Sequence, residues 1–327
     1  MKEWLLWDSS HSEWDLILTE IDDRVFYQSY SWGEVQRVKG WRPVRLYAKD
    51  QHGKIISAVQ VLVKNKYFIS ICWIPGGFVG NLTSFDNGFR RMIKNTIGAR
   101  FFYIRTNIQR IWNKQDEETM KKQSWKRPYI CIASGKSIEY MLDVSEDERI
   151  KLASKNWRHN LRRSSKTNLK IARNKSPLVS EIIKLYEEMG ALKGLPTQVT
   201  EQELNSMFSN MNNHIMLFEG RNENNELIAI RAAGIFKDRG WDLLAAADYS
   251  SRKVYATHAI LWELLKSLQN AGVKIYDMGG IDPILGKGVY DFKKGVGGKE
   301  IEYLGEYDWA NYPFIRYLAS MYLRKLR

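Results

Sequence analysis

The chain has 327 residues, which at roughly 150 residues per domain suits two globular units. Its 44% hydrophobic and 13% aromatic content is ample for a packed core and excludes disordered, collagen-like and coiled-coil classes. Fifty Lys and Arg against 37 Asp and Glu leave a net charge of +13, which suits polyanionic partners, and two cysteines with five scattered histidines supply no disulfide framework and no metal spacing.

The first eight residues place acidic side chains too early for a secretory signal. The most apolar stretch, 67–82, is broken by Pro75-Gly76-Gly77 and falls short of the about 20 apolar residues that cross a bilayer. The expectation is a cytoplasmic protein with no spanning helix. Along the first half, a short helix at 31–38 precedes strands at 44–48, 55–63 and 67–73, a helix at 84–97 and a strand at 101–105. The second half gives helices at 179–192 and 201–211, strands at 215–218, 227–236 and 241–247, a helix at 256–270 closed by Gly272, and a strand at 274–277. Helices, a three-strand antiparallel meander, a helix and another strand thus occur twice. This predicts a duplicated α+β fold with a boundary near 144–151.

Residues 151–175 carry nine Lys and Arg and no acid. Read as a helix, Arg158, Arg162 and Lys166 recur at i+4 and Arg163 adjoins them, so the cations project together as a surface for phosphates. The alternative is an ordinary solvated helix face. The segment 309–327 is aromatic on one side (Trp309, Tyr312, Phe314, Tyr317, Tyr322) and basic at its end. It is expected to pack its aromatic face on a domain, a peripheral contact with an anionic membrane being the alternative.

After the last predicted strand come Tyr276-Asp-Met-Gly-Gly-Ile-Asp282, Gly288-Val-Tyr-Asp-Phe-Lys-Lys-Gly-Val-Gly-Gly298 and Glu302-Tyr-Leu-Gly-Glu-Tyr-Asp308. Glycines flanking two lysines let backbone approach a ligand closely, so a site is expected on this glycine-rich turn. In these runs, with Ser29-Tyr-Ser-Trp-Gly-Glu-Val35, Gly40-Trp-Arg-Pro-Val44, Trp157-Arg-His-Asn-Leu-Arg-Arg163 and the stretch 189–196, the chain resembles the FemABX family of peptidoglycan bridge-forming aminoacyltransferases. The resemblance extends over nearly the whole chain. It implies two GNAT-like domains, each a mostly antiparallel twisted sheet flanked by helices, spanning 1–147 and 148–308, with the helix 309–327 packing back on the first.

The activity so implied is transfer of an amino acid from aminoacyl-tRNA to an amine of a nucleotide- or lipid-linked muropeptide, with no cofactor. Such acyl transfer needs a neutral amine, a proton acceptor and a positive donor at the developing oxyanion. By resemblance Lys293 is that donor and Lys294 the runner-up. Asp282, Asp277 or a carboxylate of the substrate takes the proton. The resemblance also places Gly279, Gly280, Tyr290 and Phe292 about the substrate, and the Trp32–Arg37 helix on the nucleotide-linked precursor. Where relatives have a lysine, this chain has Gln36 followed by Arg37, which turns the basic group about 100° around the helix. Lys193 stands as the cation where some members have an arginine. The region 201–218 has no room for the coiled-coil arm of staphylococcal members, which implies a compact member holding tRNA on its body.

Two competing readings remain. A GNAT-type N-acyltransferase would seat acyl-CoA pyrophosphate on the loop Arg252-Lys-Val-Tyr-Ala-Thr257, with Arg252 attracting it, and would act on a surface-polysaccharide or nucleotide-sugar precursor. Tyr255 stands there where close approach requires glycine. A non-catalytic RNA-binding protein on the same fold is the third.

Overall fold

The computed structural model describes residues 2–9, 11–21, 25–194 and 199–324. Its elements, in chain order, are β1 (Glu3–Leu6), α1 (His11–Glu20), α2 (Tyr30–Gln36), β2 (Arg42–Lys49), β3 (Ile55–Lys66), β4 (Ile69–Ile74), β5 (Val79–Gly80), α3 (Asn87–Ile97), β6 (Phe101–Ile111) and α4 (Lys114–Lys122). There follow β7 (Lys136–Met141), α5 (Glu146–Leu152), α6 (Lys155–Ser164), β8 (Lys170–Arg173), α7 (Val179–Lys193), α8 (Glu201–Asn210), β9 (Ile215–Arg221), β10 (Leu227–Phe236) and β11 (Arg239–Ala247). The chain ends with α9 (Ala256–Asn270), β12 (Ile275–Gly280), α10 (Lys287–Gly295), β13 (Lys299–Ala310) and α11 (Pro313–Arg324).

These elements form two compact units, residues 1–135 with 302–327, and residues 136–301. In the first, the strands lie in the order β1-β2-β3-β4-β6-β13, with β5 on β3. In the second the order is β7-β12-β11-β10-β9-β8. Each unit has one parallel neighbour pair, β4 with β6 and β11 with β12, and the other neighbours run antiparallel. A crossover helix, α3 or α9, joins the two parallel strands. The duplicated order predicted from the sequence is therefore present.

The boundaries differ from the expected 147/148 and 308. The strand beside β6 is β13, from the C-terminal end, and the strand beside β12 is β7, from the middle of the chain. Each unit thus completes its sheet with a strand from outside its own duplicated run, which moves the divisions to 135/136 and 301/302. A linear hydrophobic pattern does not reveal such long-range pairing.

Local chemistry sets the crossover helices. Asp86 caps α3 by accepting from the Gly88 amide, and Gly98 ends it in the left-handed region. Its Phe89 and Ile93 join Trp4, Phe78 and Phe85 in the core of the first unit. In the second unit α9 buries Ile260, Leu261, Leu264, Leu265 and Leu268 against β9 and β10. Each fully buried large side chain stabilises by about 1.5–3 kcal/mol over its exposed state.

Three segments depart from the sequence reading. The glycine-flanked run expected as a turn is the helix α10: Val289, Phe292 and Val296 fall at helical spacing, and Lys287 bonds Asp291 at i+4. The basic segment is helical only to Ser164, so Lys166 lies beyond α6 and the i+4 stripe stops at Arg162. The segment 309–327 begins as the end of β13, and in α11 Ile315 is buried while Phe314, Tyr317 and Tyr322 are exposed. The aromatic face therefore does not pack inward as expected. Between α8 and β9 there is only a short 3-10 turn, with no inserted helical arm.

Gly297 has φ of +102°, and a Cβ there would lie 2.7 Å from the carbonyl carbon and oxygen of Leu152. Gly297→Ala is expected to destabilise the protein by about 2 kcal/mol or more in urea titration, combining backbone strain with a backbone clash. Gly53→Ala, at φ +80° with nothing within 4 Å, is expected to cost less.

Candidate active site

The two parallel strand pairs differ in one respect that creates a site. In the first unit β4 and β6 stay in register over six residue pairs, from Ile69 with Phe101 to Ile74 with Thr106. In the second unit β11 and β12 pair only at Arg239, Gly240 and Trp241, and then separate. A cleft of about 650 Å³ lies against β11 beyond that point, bordered by Asp242 and Ala245 to Asp248 of β11 and its end, Trp157 of α6, His258 of α9 and Phe292 and Lys293 of α10.

Lys293 occupies the gap. Helix α10 packs on α6, where Gly295 lets it come close: a Cβ there would stand 3.1 Å from the Trp157 ring, and the Gly295 carbonyl accepts from the Ser154 amide at 2.8 Å. From the inner face of α10, Lys293 sends its Nζ to the carbonyl oxygens of Gly280 at 3.0 Å and Gly279 at 3.3 Å, at the end of β12. Gly279 sits at φ +75°, a conformation that favours glycine, and its amide donates to Asp277 at 2.8 Å. An ammonium has three N–H donors, so two carbonyl partners leave one for a ligand in the cleft that Lys293 lines.

Lys293 is 8% exposed. Burial depresses its pKa below the ordinary lysine value, Asp242 and Asp277 oppose that depression, and Arg231 adds to it. The nearby charges are already matched. Arg231 pairs with Asp242 at 2.7 Å, the Tyr276 hydroxyl donates to the other Asp242 oxygen at 2.8 Å, and Asp277 accepts from the Ser137 hydroxyl. Burial, and then Asp242, keep the Tyr276 phenol protonated. Lys293 is thus a buried cation beside a neutralised ion pair, a favourable place to meet new negative charge.

Opposite α10, the His258 ring lies 5.0 Å from Phe292 and 5.2 Å from Trp157, centre to centre. Burial lowers its pKa to about 4, so the imidazole is neutral at pH 7. Its Nε2 lies 3.4 Å from the Asn160 amide nitrogen, while His258 Nδ1 and the Trp157 indole nitrogen are buried with no hydrogen-bond partner among the described residues. Unsatisfied polar atoms in the wall of a cleft suit a ligand that bonds them.

The structure separates the residues singled out from sequence. Phe292 lies in the cleft with Lys293, Arg252 lines its edge, and Gly279 and Gly280 hold the lysine. Lys294, one residue or about 100° further around α10, points outward and pairs with Glu300 at 2.6 Å and with the Tyr290 hydroxyl at 2.8 Å, which hold its pKa above the usual range. Lys294 and Tyr290 are thus removed from the cleft. Asp282 is exposed, and its carboxylate accepts from the amides of Leu285 and Ile284, which lowers its pKa and commits it to a turn. Asp277 is buried and bonded, so neither expected proton acceptor faces the cleft.

Arg158 is likewise engaged elsewhere, donating to the carbonyls of Ile150, Lys151 and Ala153 and so closing the C-terminus of α5. Arg162, Arg163 and Lys166 are exposed, with Arg163 over the Tyr255 ring at 4.7 Å. In the first unit, Arg37 pairs with Glu34 at 2.5 Å, Gln36 is buried and Trp32 packs edge-on against Tyr27. Lys193 is the last residue of α7, and its side chain lies outside the described residues. Among the described residues no cluster of three or more His, Cys, Asp or Glu could hold a metal.

Sequence reasoning missed Arg231, Asp242 and His258. The first two had a signal: a lone arginine in the apolar run of β10 and a lone aspartate in that of β11, complementary charges in neighbouring strands. A bulge at Ala232/Ala233 sets their final register, and that was not legible. His258 carried no sequence signal.

Residues 198–325 match the sequence model of the FemAB family. Among solved structures the chain is similar to FemX, with a TM-score of 0.81 at 15% identity over 97% of this chain and 100% of that one. A tandem GNAT protein from the clavulanic acid biosynthesis pathway gives 0.61 at 6% identity over 96% and 99%. L-PGS from Bacillus licheniformis gives 0.57 at 12% over 95% and 96%. At these identities the likeness is one of fold, and it makes both units GNAT-like. No curated protein matches the chain.

Because His258 has its folded pKa near 4, below the ordinary histidine value of 6.5, the unfolded chain binds its proton first as pH falls. Its contribution is fully present above about pH 6.5 and lost down to about pH 4. His258→Phe is expected to show a smaller drop in urea stability between pH 7 and pH 4.5 than the native protein.

Proposed function

We propose, from the premise that this chain belongs to the FemAB family through residues 198–325, that it is an aminoacyltransferase that moves an amino acid from aminoacyl-tRNA to an amine of a cell-wall muropeptide precursor. The observation that carries this reading is the Lys293 ammonium, held at the opening between β11 and β12 and lining the side of the cleft that an ester carbonyl can share with it.

The acceptor amine attacks the ester carbonyl carbon directly. A C–N bond forms, the carbonyl π pair moves onto oxygen, and the Lys293 N–H not used by Gly279 and Gly280 donates to that oxyanion. When the tetrahedral centre collapses, the C–O bond to the ribose breaks and the ribose oxygen leaves as a hydroxyl, taking the proton that the attacking amine has given up. One such donor is worth about 3 kcal/mol in the transition state. The carboxylates in the cleft wall are all engaged: Asp242 by Arg231 and Tyr276, Asp248 by Ser250 and Ser251, Asp291 by Lys287. The amine proton accordingly passes to a carboxylate of the substrate peptide. The neutral His258 and the Trp157 ring supply an uncharged wall for the bound aminoacyl group.

Acyl-CoA is the weaker donor. The residue preceding α9 is Tyr255 at φ +53°, and its ring packs on His258 and under Arg163 where a pyrophosphate would approach the helix end. For the tRNA body, Arg162, Arg163 and Lys166 remain exposed, and Arg158 is withdrawn from that role.

The purified protein, given labelled aminoacyl-tRNA or acyl-CoA with nucleotide- and lipid-linked muropeptides, is expected to transfer label from tRNA, and transfer from CoA alone would overturn the reading. Lys293→Ala should lower turnover 10²-fold or more while the chain stays folded by circular dichroism, with a modest loss of stability from the carbonyls it leaves unbonded. In the native protein turnover should fall with rising pH through a pKa below the ordinary lysine value of 10.5, and that alkaline limb should vanish in the variant. Charge reversal at Arg162 with Lys166 should weaken tRNA binding and flatten its dependence on salt.

A further inference from the structure

The first unit carries a surface that the proposed chemistry does not use. At the tip of the β3–β4 hairpin Tyr67 is 90% exposed and held at φ +54°, a conformation that costs a bulky residue strain, and Phe68 beside it is also exposed. Phe68 meets Phe101 at 5.8 Å, and Phe101 meets Tyr312 at 5.5 Å and Phe314 at 5.8 Å. From Phe314 the patch continues along α11 through Tyr317, Leu318 and Met321, spaced by three and four residues on one exposed face. Ile315, on the other side of the helix, is buried.

Cations stand within this apolar patch. Lys66 Nζ lies 5.2 Å over the Tyr67 ring, the Arg100 guanidinium lies 5.3 Å over Phe101, and Lys94, Arg100 and Tyr312 border one shallow groove. No acidic residue occurs anywhere in 51–85, 87–115 or 309–327, the three stretches that build the surface.

We infer that the aromatic and cationic face formed by the β3–β4 tip, Phe101 and α11 docks on an anionic lipid bilayer. Aromatic rings with aliphatic side chains between them suit the headgroup and upper acyl region, and the flanking Lys and Arg suit lipid phosphates. A second copy of the chain fits less well, because a two-fold contact would set these cations against one another with no carboxylate between them. A nucleic acid would match the cations and rings but not the exposed side chains of Leu318 and Met321. No helix among the described residues is long and apolar enough to cross a membrane, so the contact is peripheral. The inference does not depend on which acyl donor the cleft takes.

The test is flotation of the full chain with vesicles of phosphatidylcholine alone or mixed with phosphatidylglycerol. Binding is expected to be at least about tenfold tighter to the anionic vesicles and to weaken with salt. The triple variant Phe314→Ser, Leu318→Ser, Met321→Ser, and separately Lys66→Glu with Arg100→Glu, should each lose about tenfold or more, with unchanged circular dichroism and unchanged transfer to a soluble acceptor. Equal partition onto both vesicles, no binding, or native-like binding by both variants would overturn the inference. So would a dimer in light scattering that the triple variant dissociates, or displacement of the vesicles by equimolar RNA. Loss of transfer in Lys293→Ala with vesicle binding intact keeps this result separate from the proposed chemistry.

Discussion

An ammonium buried in a protein must find oxygen atoms, and Lys293 finds them on the carbonyls of Gly279 and Gly280. β12 parts from β11 after three residue pairs, so neither oxygen is bonded by that parallel strand, and the Gly279 oxygen also accepts from the Ser137 hydroxyl of β7 at 2.9 Å. The opening, the glycines and the lysine therefore depend on one another. Lys293 lines a cleft that is also bordered by the rings of Trp157, Phe292 and the neutral His258.

The duplication shows what this costs and where it is confined. The first unit retains the same parallel pair as a continuous ladder and has an aromatic core of Trp4, Phe78, Phe85 and Phe89 behind it. Only the second unit opens its pair, and there the lost ladder is offset by the Arg231, Asp242 and Tyr276 network and by the packing of α10 on α6. Each unit also takes its last sheet strand from outside its duplicated run, so the division of the chain follows strand pairing and not sequence order.

Several of the cations have a structural use. Arg158 closes a helix end, Arg231 pairs with a buried aspartate, and in the first unit Arg105 pairs with Glu306 while Arg316 pairs with Asp308. What remains at the surface collects where acids are absent, on the stretch after α6 and around the aromatic face of α11. Charge count alone overstated the phosphate-binding surface of α6 by treating every cation in a run as solvent-facing.

The sequence by itself determined the duplicated order of elements, because hydrophobic period and turn residues are local, and it marked Lys293 and Phe292 through their motif. It also held the lone charges Arg231 and Asp242 in plain view within apolar strands. Only the tertiary structure decided that the glycine-flanked run is a helix, since packing of Phe292 and Val296 against the core outweighs the low helix propensity of glycine. That helix turns Lys293 inward and Lys294 outward. The exchange of outer strands, the three-pair opening of β11 from β12 and the presence of His258 across from Phe292 join residues far apart in the chain, and no local pattern encodes a contact whose two halves are separated by loops of unrelated length.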